Sequence, residues 1–403
     1  MPKGIHVKTC KFAFFPDKTT SYKLWSLSYE QTQVYNAVLE TTKSDSGFDF
    51  KHMHLISKNF RNEMNFTSPA KMTQNTCLRL IAMWKSFLAL RKTDESARAP
   101  KRFASTWNFT PLIFDWNSGN GGFYFTDTRL VIRKPYLEIR LPAYAQRMLA
   151  ASDFTVADLK ISMKDDKFFC SMSLKDIHEQ PSSKGDRWAS IDPGLTHAIS
   201  LVSSEGEAVK WQNSPFKKLE RSISEVQSKK DKKQKYSRRY QKLKSKFKKL
   251  SAKRANKQRD FQHKLTSEVI DFCKDHQIGK IFYGDIKTKK LTKSKSASSG
   301  LNKSTQNRGT LGRTRGFLQY KAGLNGIDFV ITNEAYTSKT NCYTGELYPD
   351  MNLSTRVVQI DGDVYLDRDI NAAINIARRN LGSWLPQLQW ISGISTAERY
   401  VAV

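Results

Sequence analysis

The chain has 403 residues, 39% of them hydrophobic, which allows two or three domains with packed cores and excludes a disordered protein. Its 67 Lys and Arg against 38 Asp and Glu give a net charge of +29, which indicates a polyanionic partner, nucleic acid before a membrane surface. No apolar run approaches the ~20 residues that span a bilayer, and no secretory signal pattern is evident. Five scattered cysteines without a CxxC pair argue against a disulfide framework. We therefore expect a cytoplasmic protein, nucleoid-associated in a prokaryote or phage-infected cell, without a membrane partner.

The N-terminal part of the chain predicts a strand followed by a helical insertion. Partial alternation over 5–15 predicts the strand. Apolar residues at helical spacing predict a helix over Ser26–Thr41, with Ser28 as its N-cap, and a second helix over Pro69–Lys92. The stretch Phe50–Phe66 between them predicts a mixture of helix and loop.

From residue 103 to residue 174 the pattern changes to short β-like runs separated by turns. Gly119–Gly122 and Asp165–Asp166 are hairpin turn signals, and the runs around them alternate with period two. We expect a β-barrel or an open sheet with the helical piece inserted in its first hairpin, serving either RNA binding or a purely structural role. The polar run at 180–185 predicts a domain boundary.

The residues that follow this boundary begin with three strands. The first, Arg187–Asp192, has the composition of a buried strand and ends in a carboxylate before a Pro-Gly turn. Such a beginning is typical of a ribonuclease-H-like nuclease domain. Asp192 is equally open to interpretation as an ordinary surface residue of a turn.

A strongly basic helix comes next. Residues 229–259 contain 16 Lys or Arg and a single acid, Asp231. Five apolar residues spaced 4, 3, 4 and 3 apart predict one seam on this helix: Tyr236, Tyr240, Leu243, Phe247 and Leu250. Solvated coiled-coil faces mix both signs of charge, whereas charge of one sign repels itself unless phosphates neutralise it. We therefore expect nucleic-acid contact, carried by Lys229, Lys230, Lys232, Lys233, Arg238, Arg239, Lys242, Lys246, Lys249 and Arg254.

Two further strands are predicted to end in acids. Lys280–Ile286 contains Asp285, and Ile327–Glu334 ends in Glu334. A short helix, Phe317–Leu324, precedes the second strand, and the polar stretch 287–309 predicts a phosphate-facing loop.

The last predicted feature is the start of a helix within Asp361–Arg379. Asp367 and Asp369 precede a run of small apolar residues, and Asp369 lies at or just before the first turn. Asp369 is open to two interpretations, a helix N-cap or a member of an acidic site. The segment 340–360 before it has no regular pattern, and the last twenty residues give no functional signal.

The order of these elements matches a ribonuclease-H fold, an α/β fold that brings acids from strand ends and a late helix to one point. Oxygen ligands suit Mg²⁺, and two such ions can activate water and stabilise the leaving oxygen of a phosphodiester. The candidate ligands are Asp192, Asp285, Glu334 and Asp369, with Asp367 as a neighbour.

Three segments resemble one protein family. SIDPGL (190–195), NEAYTS (333–338) and DRDINAAINIARR (367–379) resemble the RuvC-type nuclease of TnpB proteins, transposon-encoded RNA-guided nucleases related to type V CRISPR effectors and Fanzor. APKRF (99–103) is similar to a degenerate form of the family's Pro-Lys-Phe-Lys segment. The resemblance implies a wedge β-barrel, a helical recognition lobe and a RuvC-like nuclease domain. The expected bounds are 1–20 with 96–180 for the barrel, 21–95 for the lobe and 186–403 for the nuclease domain.

The resemblance implies that Asp192, Glu334 and Asp369 are the catalytic and metal-binding acids. The family's second motif usually ends in Glu-Asp-Leu, where this chain has Gly284-Asp285-Ile286. A subset of the family is similar to this chain in placing the Glu in the next strand, as at Glu334. Asp285 remains the alternative acid.

The resemblance also implies a zinc ribbon over 338–362, which the family builds from two Cys-x-x-Cys pairs. This segment has one cysteine, Cys342, and one thiolate cannot complete a tetrahedral site. We therefore expect a degenerate target-loading insertion without zinc.

The function implied is that of an Mg²⁺-dependent RNA-guided DNA endonuclease, with a guide RNA and double-stranded target DNA as partners and a two-metal site. The alternative is a nuclease-dead, RNA-guided DNA-binding protein that acts as a repressor, because such relatives lose catalytic acids. An RNA-binding protein with a vestigial nuclease fold is a third hypothesis. The sequence leaves the oligomeric state open.

Overall fold

The computed structural model describes residues 7–44, 49–102, 108–115, 122–150, 154–176, 185–213, 216–285, 310–352, 354–382 and 385–401. The chain divides into two compact units, 1–179 and 180–403, and each is described by itself. The predicted turn at 119–122, the boundary at 180–185 and the loop at 287–309 fall largely outside the described residues, as does Phe103.

Within its described residues, the first unit contains two antiparallel sheets and four helices. One sheet has the order β1-β7-β6-β2, and the other has the order β3-β4-β5. The strands are β1 Val7–Phe14, β2 Leu112–Asp115, β3 Phe123–Phe125, β4 Arg129–Ile132, β5 Leu137–Arg140, β6 Phe154–Lys164 and β7 Lys167–Asp176. The helices are α1 Lys18–Ser44, α2 Phe50–Glu63, α3 Ala70–Arg91 and α4 Ala143–Ala150.

Both sheets contribute to one hydrophobic core. Leu130 and Ile139 of the smaller sheet pack in the same buried cluster as Leu159 and Met172 of the larger one. A second core, with Leu80 and Trp84 among its members, holds α1, α2 and α3 together. The helical insertion therefore has its own core, as its predicted position between strands suggested.

The prediction for the start of α1 was wrong. The helix begins at Lys18, where the Asp17 carboxylate accepts the N–H of Thr20 at 2.6 Å. Ser28 lies inside the helix, and its hydroxyl accepts the N–H of Thr110 at 2.7 Å instead of capping.

Of two other local features of the first unit, one was missed by the sequence-based prediction and one was predicted. The helix Ala143–Ala150 was not predicted, because the region was interpreted as strands throughout. The Asp165–Asp166 turn is as expected, with φ of 50° and 59° at its two residues, which suits a two-residue hairpin between β6 and β7.

The second unit is built on a six-stranded sheet of order β12-β11-β8-β9-β10-β15. Strands β8, β11 and β12 run parallel to one another, β9 is antiparallel to β8 and β10, and β15 is parallel to β10. The strands are β8 Arg187–Asp192, β9 His197–Ser203, β10 Glu207–Gln212, β11 Ile278–Asp285, β12 Asp328–Asn333, β13 Val357–Asp361, β14 Val364–Asp367 and β15 Ser395–Arg399, and β13 pairs with β14 as a separate hairpin.

Helices cover both faces of this sheet. The helices are α5 Lys217–Asp231, α6 Arg238–Asp275, α7 Thr310–Leu324, α8 Arg368–Leu381 and α9 Leu388–Ser392. Phe261 of α6 and Leu318 of α7 pack with Ile191 on one face, and Ile370 and Ile374 of α8 pack with Val202 on the other. The sheet is therefore the middle of three layers.

The basic segment forms two helices where one was predicted. The chain breaks between α5 and α6, and Tyr236 lies in that break with φ of 70° and 83% of its surface exposed. Tyr236 is therefore outside the predicted seam, whereas Tyr240, Leu243, Phe247 and Leu250 are half-buried along α6. The C-terminal half of α6 continues onto the sheet, where Phe261 and Leu265 are buried.

The segment before α8 is more regular than predicted. A short 3₁₀ helix spans Thr337–Lys339, and the strand Val357–Asp361 begins inside the stretch interpreted as irregular. Across the described ranges, no helix is both long and apolar enough to cross a bilayer.

Candidate active site

Three acids lie at the carboxyl ends of three neighbouring parallel strands. Ile191 of β8 is in register with Tyr283 of β11, and Asp285 of β11 is in register with Asn333 of β12. Asp192, Asp285 and Glu334 therefore stand at the same edge of the sheet. The carboxyl edge of parallel strands is where α/β folds place their ligand sites.

The helix α8 brings the fourth acid to this edge. Asp367 is the N-cap, because its Oδ1 accepts the N–H of Asp369 at 2.9 Å and that of Ile370 at 3.3 Å. The interpretation of Asp369 as the N-cap was therefore wrong. With capping done by Asp367, the side chain of Asp369 is left to contact His197 Nδ1 and Arg368 Nη2, each at 3.3 Å.

Gly284 makes room for Glu334. A Cβ at Gly284 would lie 2.8 Å from Glu334 Oε2 and 2.9 Å from Ile376 Cδ1, both too close for contact. Glu334 Oε2 is buried, and no hydrogen-bond partner for it lies within the described residues. The Glu334 carboxylate thus lies beside the backbone position at which the resembling family usually carries its glutamate.

Asp285 lies near Glu334, but its carboxylate pairs with an arginine. Strand alternation places it on the face of Tyr283, which packs with α6 and α7, whereas Phe282 packs with Ile376 of α8. Its Oδ1 accepts a hydrogen bond from Arg315 of α7 at 2.5 Å. Asp285 is therefore already paired with a guanidinium.

The acids at this edge repel one another. Burial, together with the Glu334 and Asp369 carboxylates, raises the pKa of Asp192 well above its ordinary value. Burial and the nearby Asp285 raise the pKa of Glu334 to about 7. Shifts of this kind are common where acids are gathered for chemistry.

These shifts predict that stability falls as the pH rises. Folded protein keeps a proton on Glu334 up to about pH 7, whereas the unfolded chain releases it near 4.5. In metal-free buffer the free energy of unfolding therefore decreases by about 2–3 kcal/mol between these pH values. Urea unfolding at pH 5 and pH 8 measures it, and Glu334→Gln should flatten the dependence. An unchanged slope in that variant would contradict the assignment.

The donor set at this edge fits a hard divalent cation. All of its members are carboxylates, two have raised pKa values, and Glu334 Oε2 lacks a partner among the described residues. In the part of the chain that the structure describes, no three His, Cys, Asp or Glu side chains converge as ligands of one ion. Ligation therefore requires side-chain movement.

The predicted nucleic-acid contacts lie mostly on the surface of α5, α6 and the turn between them. Eight of the ten side chains are exposed: Lys229, Lys232, Lys233, Arg238, Arg239, Lys242, Lys246 and Lys249. Lys230 is half-buried, with its Nζ 3.1 Å from Asp231 and 4.8 Å from the centre of the Phe247 ring. Arg254 is half-buried as well.

Side chains of α8 form hydrogen bonds to residues 337–342, at the start of the segment 338–362, which we call the ribbon segment. Asn371 Oδ1 accepts the N–H of Cys342 at 2.9 Å, and Asn375 Nδ2 donates to the carbonyls of Thr337 and Thr340 at 2.9 and 2.6 Å. Arg378 Nη1 donates to the carbonyls of Asn341 and Cys342 at 3.2 and 2.9 Å. Burial raises the pKa of the Cys342 thiol to about 12, so it is protonated at neutral pH.

The ribbon should therefore depend on Arg378 rather than on zinc. Arg378→Ala removes the side-chain donor to two carbonyls, of which that of Asn341 keeps the N–H of Gly345, so we expect a loss of about 1–3 kcal/mol in the free energy of unfolding. A zinc-selective chelator should leave the thermal midpoint unchanged, and elemental analysis should find no stoichiometric zinc. Bound zinc that stabilises the fold would contradict this prediction.

Sequence comparisons find two family models and two named proteins that are similar to parts of this chain. The model of a family described as “Probable transposase” (OrfB_IS605) matches residues 165–290, and that of a Cas12f1-like TNB domain matches residues 312–376. Over 233 residues the chain is 28% identical to InsQ of Escherichia coli (strain K12), a protein named as a candidate RNA-guided DNA endonuclease. These matches support the resemblance to TnpB proteins inferred from the three motifs.

The InsQ match covers 55% of this chain and 56% of InsQ, so the chain spans little more than half of that relative. A Streptomyces pristinaespiralis protein named for the same activity is 23% identical over 77% of this chain and 71% of its own.

Solved structures share the α/β fold of this chain. Cas12f1 in its complex with sgRNA and target DNA matches with a TM-score of 0.62 at 12% identity, over 90% of this chain and 83% of its own. The mini-RNA-guided endonuclease CRISPR-Cas_phi3 matches with a TM-score of 0.54 at 10% identity, over 98% and 94%.

Several residues of this site were not found by sequence reasoning. His197, Lys210 and Gly284 lie on strands that were correctly predicted. No local pattern shows that the fold brings them beside the acids. Asn371, Asn375 and Arg378 had a usable signal, because they repeat at helical spacing within a helix that is otherwise small and apolar.

Proposed function

We propose that the protein is an RNA-guided DNA endonuclease that hydrolyses phosphodiester bonds at Asp192, Glu334 and Asp369. The observation that carries the proposal is that these acids share one sheet edge, where burial and neighbouring carboxylates raise the pKa values of Asp192 and Glu334. We leave Asp285 outside the set because its carboxylate pairs with Arg315.

The basic hairpin of α5 and α6 supports nucleic-acid partners. Few acids lie in the sequence among its exposed Lys and Arg, so these side chains repel one another. Binding to phosphates would neutralise this charge. The names of InsQ and of the Cas12f1 complex support a guide RNA and target DNA as these partners, and we propose that the DNA is double-stranded. In such systems base pairing reads the sequence and the protein reads a short flanking motif and duplex shape.

The site would hold Mg²⁺ through Asp192, Glu334 and Asp369. Bound divalent ions supply Lewis acidity and a water of lowered pKa, and in a two-metal site they stabilise the attacking and leaving oxygens. The residues around the acids orient them. Arg368 and His197 hold the Asp369 carboxylate, and Gly284 leaves the space that Glu334 occupies.

We assign the domains of the chain as they are arranged in TnpB proteins. The six-stranded sheet with its helices is the RuvC-like, ribonuclease-H-type nuclease domain over 186–403. In the first unit, the two sheets are the wedge β-barrel and the helices within 21–95 are the recognition lobe. The residues 338–362 are the degenerate target-loading insertion.

The test begins with the full chain and the RNA that copurifies with it. That RNA is sequenced, and double-stranded DNA matching its variable end is supplied with Mg²⁺. We expect cleavage of the matching DNA only, and Asp369→Asn should bind the same DNA without cutting it.

Two results would overturn the proposal. If no discrete RNA copurifies, guidance by RNA is wrong. If guided binding occurs without cleavage in either Mg²⁺ or Mn²⁺, the protein is a repressor-type binder instead.

A further inference from the structure

The C-terminal segment of the chain packs as an integral part of the second unit. Strand β15 lies beside β10, with Glu398 opposite Lys210 in the parallel register. Trp390 Nε1 donates to the carbonyl of Ser204 at 3.3 Å, and Ile391 is 2% exposed in the core beneath α8. No functional signal is evident in the sequence of this segment, yet its Glu398 lies 3.5 Å from Lys210 Nζ.

One hydrogen-bond chain runs from Glu398 to the cap of α8. Glu398 Oε1 lies 3.5 Å from Lys210 Nζ, which donates to Asp367 Oδ2 at 2.9 Å. Asp367 Oδ1 in turn accepts the N–H of Asp369 at 2.9 Å. Only 9% of the Lys210 side chain is exposed, so its ammonium depends on these two carboxylates.

A second chain runs from Glu398 to the Asp369 carboxylate itself. Glu398 Oε2 accepts a hydrogen bond from Gln212 Nε2 at 3.1 Å, and that amide also donates to His197 Nε2 at 3.2 Å. His197 Nδ1 then carries the ring proton and donates to Asp369 Oδ2 at 3.3 Å, a tautomer assigned from these partners.

We infer that β15 is a positioning element of the site and that Glu398 is a positioning residue for Asp369. This inference rests on the proposed function. The two chains meet at Glu398 and end on Asp367 and Asp369, so a single side chain on the last strand orients both acids at the start of α8. Partners that orient metal-binding side chains in this way contribute about 10–100-fold to metal affinity or activity.

The test compares Glu398→Gln and Glu398→Ala with wild type in the full chain carrying its copurified RNA. The Mg²⁺ concentration for half-maximal cleavage should rise by about 10-fold in Glu398→Ala and by less in Glu398→Gln, which keeps an acceptor oxygen. Binding of matching DNA should be unchanged. Calorimetric titration with Mn²⁺ should show the same order of affinities without depending on cleavage.

A spectroscopic readout separates positioning from general stability. Among the seven histidines, the nitrogen-15 signals of His197 are assigned by their loss in His197→Gln. They should report an Nδ1–H ring in wild type and change in Glu398→Ala. The matched controls are Thr396→Ala on the same strand and Glu205→Gln, an acid paired with Arg187 at 2.8 Å. Both should behave as wild type.

The inference is wrong if Glu398→Ala keeps the wild-type Mn²⁺ affinity and the wild-type His197 signals. It is equally wrong if Thr396→Ala has the same effects as Glu398→Ala, because the strand would then act through stability alone. If wild type itself does not cleave DNA, the proposed nuclease function fails, and the Mn²⁺ titration and the His197 spectrum still decide the role of Glu398.

Discussion

Glu334→Gln should abolish DNA cleavage while leaving the protein folded and bound to its RNA. Gln has nearly the same shape as Glu and fits the space beside Gly284, but it removes a charged ligand from the site. Loss of several kcal/mol of transition-state stabilisation corresponds to a decrease of roughly 1,000-fold in the cleavage rate. Single-turnover cleavage of matching DNA in saturating Mg²⁺ measures it.

Asp285→Asn is the matched control. It removes one carboxylate charge at the same sheet edge, one residue beyond Gly284, but on the face that pairs with Arg315. We expect cleavage within a few-fold of wild type, together with a modest loss of stability from the weakened ion pair. If Asp285→Asn is the inactive variant and Glu334→Gln cuts normally, the assignment of the relocated glutamate is wrong.

The sequence located elements more reliably than contacts. Asp192 and Glu334 could be placed at strand ends because buried strands have a local signature. The late helix carrying Asp369 was found in the same way, from small apolar residues after two acids. Local patterns of this kind depend on neighbours a few positions apart, which the sequence contains directly.

Errors arose where tertiary partners override a local signal. Ser28 has the spacing of an N-cap, but its hydroxyl accepts a hydrogen bond from Thr110, 82 residues away. Tyr236 fits an apolar seam by spacing, but the chain turns there. Asp367 is the cap through local hydrogen bonds, but the contact of Asp369 with His197, 172 residues away, could not be inferred from local spacing.

Gly284→Ala should impair the site although a single methyl group is added. The backbone at Gly284 does not have a positive φ, so the substitution tests space rather than conformation. The new Cβ would collide with Glu334 Oε2 and with Ile376, which is 0% exposed. We expect a loss of about 1–3 kcal/mol in stability from overpacking and a larger effect on cleavage, about 10–100-fold, because the carboxylate must move.

A reciprocal exchange decides whether position 284 and Glu334 serve one role. Gly284→Glu alone should be inactive and destabilised, because two carboxylates would compete for one space. Glu334→Gly alone should be inactive because the acid is missing. The double variant returns a carboxylate to the strand end that carries it in most of the family, and it removes the Glu334 Cβ, which lies 3.3 Å from a Cβ at 284.

We therefore expect the double variant to cleave at least about 10-fold faster than either single variant, a non-additive recovery that independent sites do not show. Circular dichroism and RNA copurification establish that all three proteins are folded. Rates for the double variant no higher than those of Glu334→Gly would contradict the exchange. In that outcome Gly284 serves packing against Ile376 alone, and the position of the glutamate cannot be transferred between the two strands.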